Sequence, residues 1–256
     1  MRTFFLIILF LAATLPASYA QYESRKGYAG FSIGASLPQG DFANNSSEEG
    51  GAGFAKPGVA LNLNFAYRIA SNFGLTAMVL IQSNSLDESG FLNALNTSSN
   101  LAGTNRRYTS VDADSWGMSG FLVGGFASIP LGSGGKVILE PRALVGILTA
   151  LSPRIKASYK EGFSNRWDEQ QIGAGIGFGY GLGGSFRFNV SDRIALLLNA
   201  DYLKTNPKFI DVVINTSYGQ DFITSFQRKI EVVNVTLGFA FRIKKDIPPI
   251  RKRFDS

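Results

Sequence analysis

Apolar residues alternate with small or polar residues in eight separate segments of the chain. A period of two residues is typical of β-strands that have one apolar face. In the clearest segment, Val59, Leu61, Leu63, Phe65 and Tyr67 alternate with alanine and asparagine residues. The pattern predicts strands over about 27–38, 58–70, 73–85, 115–130, 136–151, 171–189, 193–205 and 229–243.

The connections between these predicted strands are alternately short and long. Tight turns at 70–72, 131–135 and 190–192 alternate with polar links at about 39–57, 86–114, 152–170 and 206–228. Barrels of the bacterial outer membrane have short periplasmic turns and long external loops. We therefore predict an all-β fold, an eight-stranded antiparallel up-and-down transmembrane β-barrel, with both termini in the periplasm.

A water-soluble secreted barrel or sandwich is the alternative to a membrane barrel, because its strands also alternate. Its polar face would meet water and would be rich in lysine, glutamate and threonine. Here the second face consists mostly of glycine, alanine, serine and asparagine. Small residues suit a narrow lumen that neighbouring side chains fill, so the composition favours the membrane barrel.

Local features of the pattern predict two irregularities and an aromatic belt. Pro141 removes a donor from the fifth predicted strand, and the apolar phase of the sixth is interpreted as flipping at Gly183-Gly184, so we expect a bulge at each place. Aromatic residues near the turn-side ends are interpreted as an interfacial girdle. These residues are Tyr28, Phe31, Tyr67, Phe73, Phe186, Phe188, Phe239 and Phe241.

The N-terminus predicts a cleavable signal peptide over residues 1–20. Arg2 precedes an apolar run from Phe4 to Leu15, and small residues follow up to Ala20. The run is too short to cross about 30 Å of hydrocarbon, which argues against a membrane anchor helix. The predicted organisation is the signal peptide, a barrel domain over 21–243 and a basic periplasmic tail over 244–256.

Residue types that are missing from the sequence limit its chemistry. The chain has no cysteine and no histidine among its 256 residues. Disulfides and thiolate sites are therefore excluded, and nucleophilic triads and zinc sites usually need histidine. We predict no catalysis, no cofactor and no metal. The net charge of +6 comes partly from the basic residues of the tail. A basic tail can indicate nucleic-acid binding, but nucleic acid is not expected as a partner of an exported protein.

Charged residues at lumen-facing positions form the most informative cluster. Arg68, Glu140, Arg142, Arg187 and Arg242 are all expected near the periplasmic end of the lumen. Buried charges must be paired or hydrated, and one glutamate cannot pair four arginines, although Glu23 could enter from the N-terminal segment. The cluster is either a structural plug of ion pairs and water or a basic constriction that favours anions.

Other polar residues are expected higher in the lumen and in the third long loop. The upper-lumen set is Asn62, Asn64, Gln82, Asn84, Asn199 and Asp201, which could bind a small polar ligand or hydrogen-bond one another and water. The loop set is Arg154, Lys156, Tyr159, Lys160, Arg166 and Trp167, which could contact anionic sugar or phosphate or simply remain solvated.

The last predicted strand resembles the β-signal of outer-membrane barrels. Thr236, Gly238, Phe241 and Ile243 occupy the polar, glycine and two hydrophobic positions of that signal. The resemblance implies that the barrel-assembly machinery recognises this strand during insertion. Over residues 27–243 the chain resembles small barrels of the broad OmpA/OmpW-like superfamily, and residues 30–42 are similar to Bacteroidetes members that include PorT-like proteins.

Three functional classes remain open at this stage. The first is a structural barrel that displays its loops at the surface and has a largely closed polar lumen. The second is a narrow pore for small anionic or apolar solutes, and the third is an accessory component of an envelope secretion or assembly system. The expected partners are outer-membrane lipid or lipopolysaccharide, the assembly machinery and possible envelope proteins.

Overall fold

The computed structural model describes residues 25–45, 51–103, 106–132 and 135–244. The predicted signal peptide, Glu23 and the tail beyond Lys244 lie outside the described residues. Two helices are present in this part of the chain, α1 Gly40–Ala43 and α2 Glu88–Leu101. The strands are β1 Arg25–Pro38, β2 Ala55–Arg68, β3 Phe73–Leu86, β4 Arg106–Ala113, β5 Trp116–Ala127, β6 Ile129–Leu131, β7 Val137–Leu151, β8 Ile155–Glu161, β9 Ser164–Gln170, β10 Ala174–Asn189, β11 Ile194–Thr205, β12 Lys208–Thr216, β13 Phe222–Gln227 and β14 Ile230–Lys244.

Eight long antiparallel strands close into a barrel in the order β1, β2, β3, β5, β7, β10, β11 and β14, with β14 paired to β1. Following directly opposed residues once around the barrel from Gly27 leads back to β1 at Leu37, ten residues further along. A stagger of this kind requires strands that are tilted to the barrel axis. The path is Gly27, Tyr67, Leu75, Gly125, Ala143, Leu182, Tyr202, Val233, Leu37. The predicted eight-stranded antiparallel barrel is confirmed.

The two faces of each barrel strand differ sharply in exposure and composition. Outward side chains are large, apolar and exposed, as with Phe178 at 70% and Leu237 at 61%. Lumen-facing neighbours are buried, and many of them are polar or charged. The apolar alternation in the sequence therefore marks the outside of the barrel, which is the reverse of a water-soluble barrel.

Neither predicted bulge is present. The pairing of β10 with both neighbours runs without a register shift through Gly183 and Gly184, because Leu182, Gly184 and Phe186 all occupy the outward phase. The interpretation of a phase flip was wrong, since Gly184 is an outward position without a side chain. Pro141 keeps its register with β10, and the ladder on its other side is interrupted where β5 ends and β6 begins.

One residue of the predicted aromatic girdle lies on the opposite face of the wall. Tyr28 is an even-numbered residue of β1, so it points into the lumen, where it is 4% exposed. Phe31 on the same strand points outward, as do Phe73, Phe239 and Phe241. The prediction was wrong for Tyr28 because it considered only how close this residue lies to the strand end. In the two-residue alternation of β1, Tyr28 occupies a lumen-facing position.

Above the barrel, the long connections add five strands to the same sheet, and we call this part the collar sheet: β4, β8, β9, β12 and β13. Each collar strand continues one barrel strand, and β12 also pairs directly with β10 at Gly175–Phe209 and Ile176–Lys208. The helix α2 packs against β4, where Asn96 bonds the main chain of Tyr108 in both directions. In the described part of the chain, no helix combines the length and the apolar character needed to span a membrane.

Candidate functional site

The turn-side floor of the lumen is built around Glu140. The Arg187 guanidinium lies 3.0 Å (Nη2) and 3.1 Å (Nε) from Oε1 of Glu140. The Tyr28 hydroxyl donates to Oε2 at 2.8 Å, and Ser185 donates to the same oxygen at 3.4 Å. Both charged side chains are 3% exposed, so this ion pair satisfies its own hydrogen-bonding groups away from solvent.

A second buried ion pair lies directly above the first. Arg142 contacts Asp201 in a bidentate arrangement, with Nη2–Oδ2 at 2.6 Å and Nε–Oδ1 at 2.8 Å, and it reaches Asn64 at 3.4 Å. Gly183 on β10 is directly opposite Arg142 on one side and Asp201 on the other. A Cβ atom at Gly183 would overlap Oδ1 of Asp201. The glycine thus leaves the space through which the two side chains meet.

The structure places the five residues of the predicted charge cluster in different settings. Glu140, Arg142 and Arg187 belong to the two buried pairs. Arg68 lines a cavity of about 10 Å³ below the floor, which is room for about one water molecule. Arg242 lies at the turn-side margin and donates to the Ser191 carbonyl oxygen at 3.1 Å.

Asp201 supplies the second carboxylate that the arginine count in the sequence required. The sequence alone predicts Asp201 in the upper polar set, from its position along its own strand. The stagger of the barrel brings it level with Arg142, which is 59 residues away in sequence. The alternation in the sequence shows that Asp201 faces the lumen. It does not show at which level along the barrel axis Asp201 lies relative to the residues of β7.

One wall of the lumen above the ion pairs is polar. Asn199 donates to Thr236, Thr236 donates to Ser32, and Asn234 donates to Gln82. Asn84 bonds the main chain of β1 and β2. Four amide atoms on this wall are buried without a protein partner: Asn62 Nδ2, Asn62 Oδ1, Asn199 Oδ1 and Asn234 Oδ1. Buried polar atoms of this kind are sites for ordered water.

The loop-side end of the lumen is filled by apolar side chains. Leucine and methionine residues from β3, β5, β7 and β11 form one buried cluster with the aromatic residues above them. Phe42, from the β1–β2 connection, packs edge-on against Trp116 with ring centroids 5.6 Å apart. Trp116 in turn contacts Phe209, which stacks on Phe226 at 4.9 Å. Aromatic packing thus occupies the loop-side end of the lumen, and the two ion pairs occupy the turn-side end.

The charged residues of the third long loop lie on or beside the β8–β9 hairpin of the collar sheet. Arg154 lies 3.7 Å from Asp112, 3.4 Å from Asp114 and 3.5 Å from Glu169. Nearby, burial raises the pKa of Tyr159 to about 12. An anionic ligand would have to compete with three carboxylates for Arg154, and contact of this hairpin with anionic sugar or phosphate stays a prediction.

The residues that resemble a β-signal lie where β14 closes the barrel against β1. Thr236 points into the lumen, whereas Phe241 and Ile243 point outward and are exposed. A Cβ at Gly238 would overlap the Phe31 carbonyl oxygen, so only glycine permits the observed approach of the two strands. Recognition of this strand by the assembly machinery stays a prediction.

Among the described residues, no group of three or more histidine, cysteine, aspartate or glutamate side chains could hold a metal ion. No protein-family model matches the chain, and no curated protein matches it.

Several solved structures are similar to the chain. A major outer membrane protein from Thermus thermophilus is 13% identical, with a TM-score of 0.44, over 84% of this chain and 99% of that chain. Ail, the attachment invasion locus protein of Yersinia pestis, is 13% identical with a TM-score of 0.41 (85% and 99% covered). OprG from Pseudomonas aeruginosa is 12% identical with a TM-score of 0.40 (88% and 99% covered). The chain is similar in fold to small outer-membrane barrels, and the PorT-like subtype stays a prediction.

Proposed function

We propose that this protein is an outer-membrane barrel with a closed lumen that displays its collar sheet at the cell surface. The inverted distribution of side chains is the observation that carries the proposal. Exposed apolar residues cover the outward positions of all eight barrel strands, while serine, asparagine and paired charges are buried inside. A continuous apolar surface of this extent fits lipid and is rare on soluble monomers.

The closed lumen favours a structural or display role over transport. Two buried ion pairs and an aromatic cluster fill the two ends of the lumen. A narrow anion pore is the competing function, and planar-bilayer recordings separate the two, because a closed barrel gives no single-channel steps. The absence of histidine and cysteine from the sequence supports a role without catalysis. The third functional class, an accessory role in secretion, would be identified by co-purification of envelope proteins with this chain.

Arginine at an outward midplane position should block insertion. Leu63 lies in the middle of the outward row of β2 and is 44% exposed. Leu63→Arg should destabilise the inserted barrel by about 2–4 kcal/mol, because a cation at the bilayer midplane loses its hydration. The measurement is the yield of heat-modifiable protein in the outer-membrane fraction.

Ser119→Arg is the matched control, since Ser119 is also outward-facing but lies near the loop-side margin of the apolar surface. Its cost should be at most about 1 kcal/mol, as expected close to the interface. Equal yields of the two variants, or recovery of the unmodified protein in the soluble periplasmic fraction, would contradict membrane insertion.

A further inference from the structure

Two cations lie side by side near the tip of the β8–β9 hairpin in the collar sheet. Arg107 on β4 is directly opposite Lys160 on β8, so the two side chains share one face of the sheet, and both are exposed. Like charges in directly opposed positions destabilise a sheet. Within the described part of the chain, neither side chain forms an ion pair with a carboxylate. An anion from outside the chain would therefore stabilise this position.

The acidic residues of the collar sheet do not neutralise these two cations. Glu161 and Asp168 point to the opposite face, where both contact the guanidinium of Arg106. The carboxylates at the base of the hairpin contact Arg154 and Lys156 instead. The hairpin is thus electrically balanced at its base and positive at its tip.

An aromatic ring lies on the same face as the two cations. Ser158, two residues before Lys160, is directly opposite Trp167 on β9, so all three side chains share the face. Trp167 is partly exposed, and Lys156 Nζ lies 4.9 Å from its ring centroid. Asn165 is directly opposite Lys160 and is exposed. The face therefore combines two cations, an accessible indole and small polar side chains.

The opposite face of the hairpin is covered. Tyr159 is 1% exposed and Ala157 is 7% exposed on that side. The Tyr159 ring lies 5.2 Å from the ring of Tyr108 and 4.9 Å from the Arg106 guanidinium. A ligand of the hairpin therefore meets the face that carries Arg107, Lys160 and Trp167.

We propose that this face, which we call the tip face (Arg107, Ser158, Lys160, Asn165 and Trp167), binds an anionic polysaccharide that carries sulfate or carboxylate groups. Arg107 and Lys160 hold one acidic group between them, since a guanidinium fork matches paired acidic oxygens. The C–H side of the adjoining sugar ring packs on the indole of Trp167. A polyphosphate would satisfy the two cations but has no apolar side for the indole. The inference rests on the proposed display of the collar sheet at the cell surface.

The test measures binding of dextran sulfate to the full chain in detergent, with uncharged dextran as the reference. The chain has two tryptophans, and Trp116 is buried, so a change in tryptophan fluorescence reports chiefly on Trp167. The parent should bind dextran sulfate with such a change and should not bind dextran. Arg107→Gln combined with Lys160→Gln should lower the affinity about tenfold, because one exposed ion contact contributes up to about fivefold.

Two further variants separate the tip face from a general effect of charge. Lys136→Gln combined with Arg193→Gln removes the same charge from exposed turn-side positions and should leave the affinity unchanged. Trp167→Ala should lower the affinity for dextran sulfate about fivefold and leave the weaker binding of inorganic polyphosphate unchanged. Equal loss in the two double variants would overturn the assignment to the tip face. Parent-like binding of dextran sulfate by Trp167→Ala, or equally tight binding of polyphosphate by the parent, would overturn sugar recognition.

The outcomes also separate this inference from the proposed function. Heat-modifiability of every variant reports barrel folding, and retention of intact cells on dextran sulfate beads reports display. A parent that fractionates with the outer membrane but does not bind dextran sulfate once purified would overturn this inference alone. Purified protein that binds, from intact cells that are not retained, would overturn the proposed display rather than the binding site.

Discussion

Replacing Glu140 with glutamine should lower the free energy of unfolding of the barrel by about 3–5 kcal/mol. Glu140 is the acceptor for Arg187, Tyr28 and Ser185 on the lumen floor. An amide in its place has one acceptor oxygen and presents an NH₂ group, so the buried guanidinium of Arg187 keeps its charge and loses its counter-ion. Urea titration of the refolded protein in detergent, followed by heat-modifiability on gels, measures the loss.

Two comparisons show whether the unpaired charge causes this effect. Asp112→Asn makes the same chemical change in an exposed pair, 3.7 Å from Arg154 with Asp112 at 73% exposure, and should cost less than about 1 kcal/mol. The double variant Glu140→Gln with Arg187→Gln should be more stable than Glu140→Gln alone, because no buried charge is left unpaired. A double variant whose cost equals the sum of the single costs would contradict this explanation.

The sequence was sufficient to predict the barrel because one physical variable determines it. Period-two alternation follows directly from strand geometry, and all eight predicted strands agree with the observed ones within about three residues at each end. The alternation also identified Glu140, Arg142 and Arg187 as lumen-facing residues. Whether one of these side chains faces the lumen or the outside depends only on its place in the alternation of its own strand.

Features that depend on the relative height of different strands were harder to predict. Asp201 meets Arg142 only because the barrel is staggered by ten residues, and no local pattern encodes that stagger. Phe42 lies in a long polar connection, and its burial depends on contact with Trp116 across the barrel mouth. The collar sheet likewise pairs segments from three different loops, so its non-local pairing was not visible in the alternation.

Phe42→Ala should destabilise the protein by about 3–5 kcal/mol, the cost of deleting a large buried aromatic side chain. Phe42 is 1% exposed and contributes to the apolar cluster at the loop-side end of the lumen. Two hydrogen bonds fix the β1–β2 connection around Phe42. The Gly53 N–H donates to the Asp41 carbonyl oxygen, and Trp116 Nε1 donates to the Gly53 carbonyl oxygen. These hydrogen bonds hold the backbone in place, so the surrounding residues cannot move far into the cavity that Phe42→Ala would leave.

Phe163→Ala is the control for Phe42→Ala, because Phe163 is fully exposed at the tip of the β8–β9 hairpin. Its unfolding free energy should stay within about 0.5 kcal/mol of the parent. Phe42→Leu should fall between the parent and Phe42→Ala, since it retains part of the buried volume. Equal stability of Phe42→Ala and the parent would show that the aromatic cluster does not close the barrel mouth.

Conductance provides a separate test of the two closures. Phe42→Ala alone should remain insulating in planar bilayers, because the ion pairs at Glu140 and Asp201 still close the lumen floor. Combining it with Glu140→Gln opens the aromatic end and releases Arg187 from its counter-ion at the other. The Arg142–Asp201 pair is still in place, so any conductance of this double variant should be small, and it should prefer anions because Arg142 and Arg187 then face a single carboxylate. Reversal potentials in a salt gradient measure the preference. Single-channel steps in the parent, or cation selectivity in the double variant, would contradict a lumen closed at both ends by these residues.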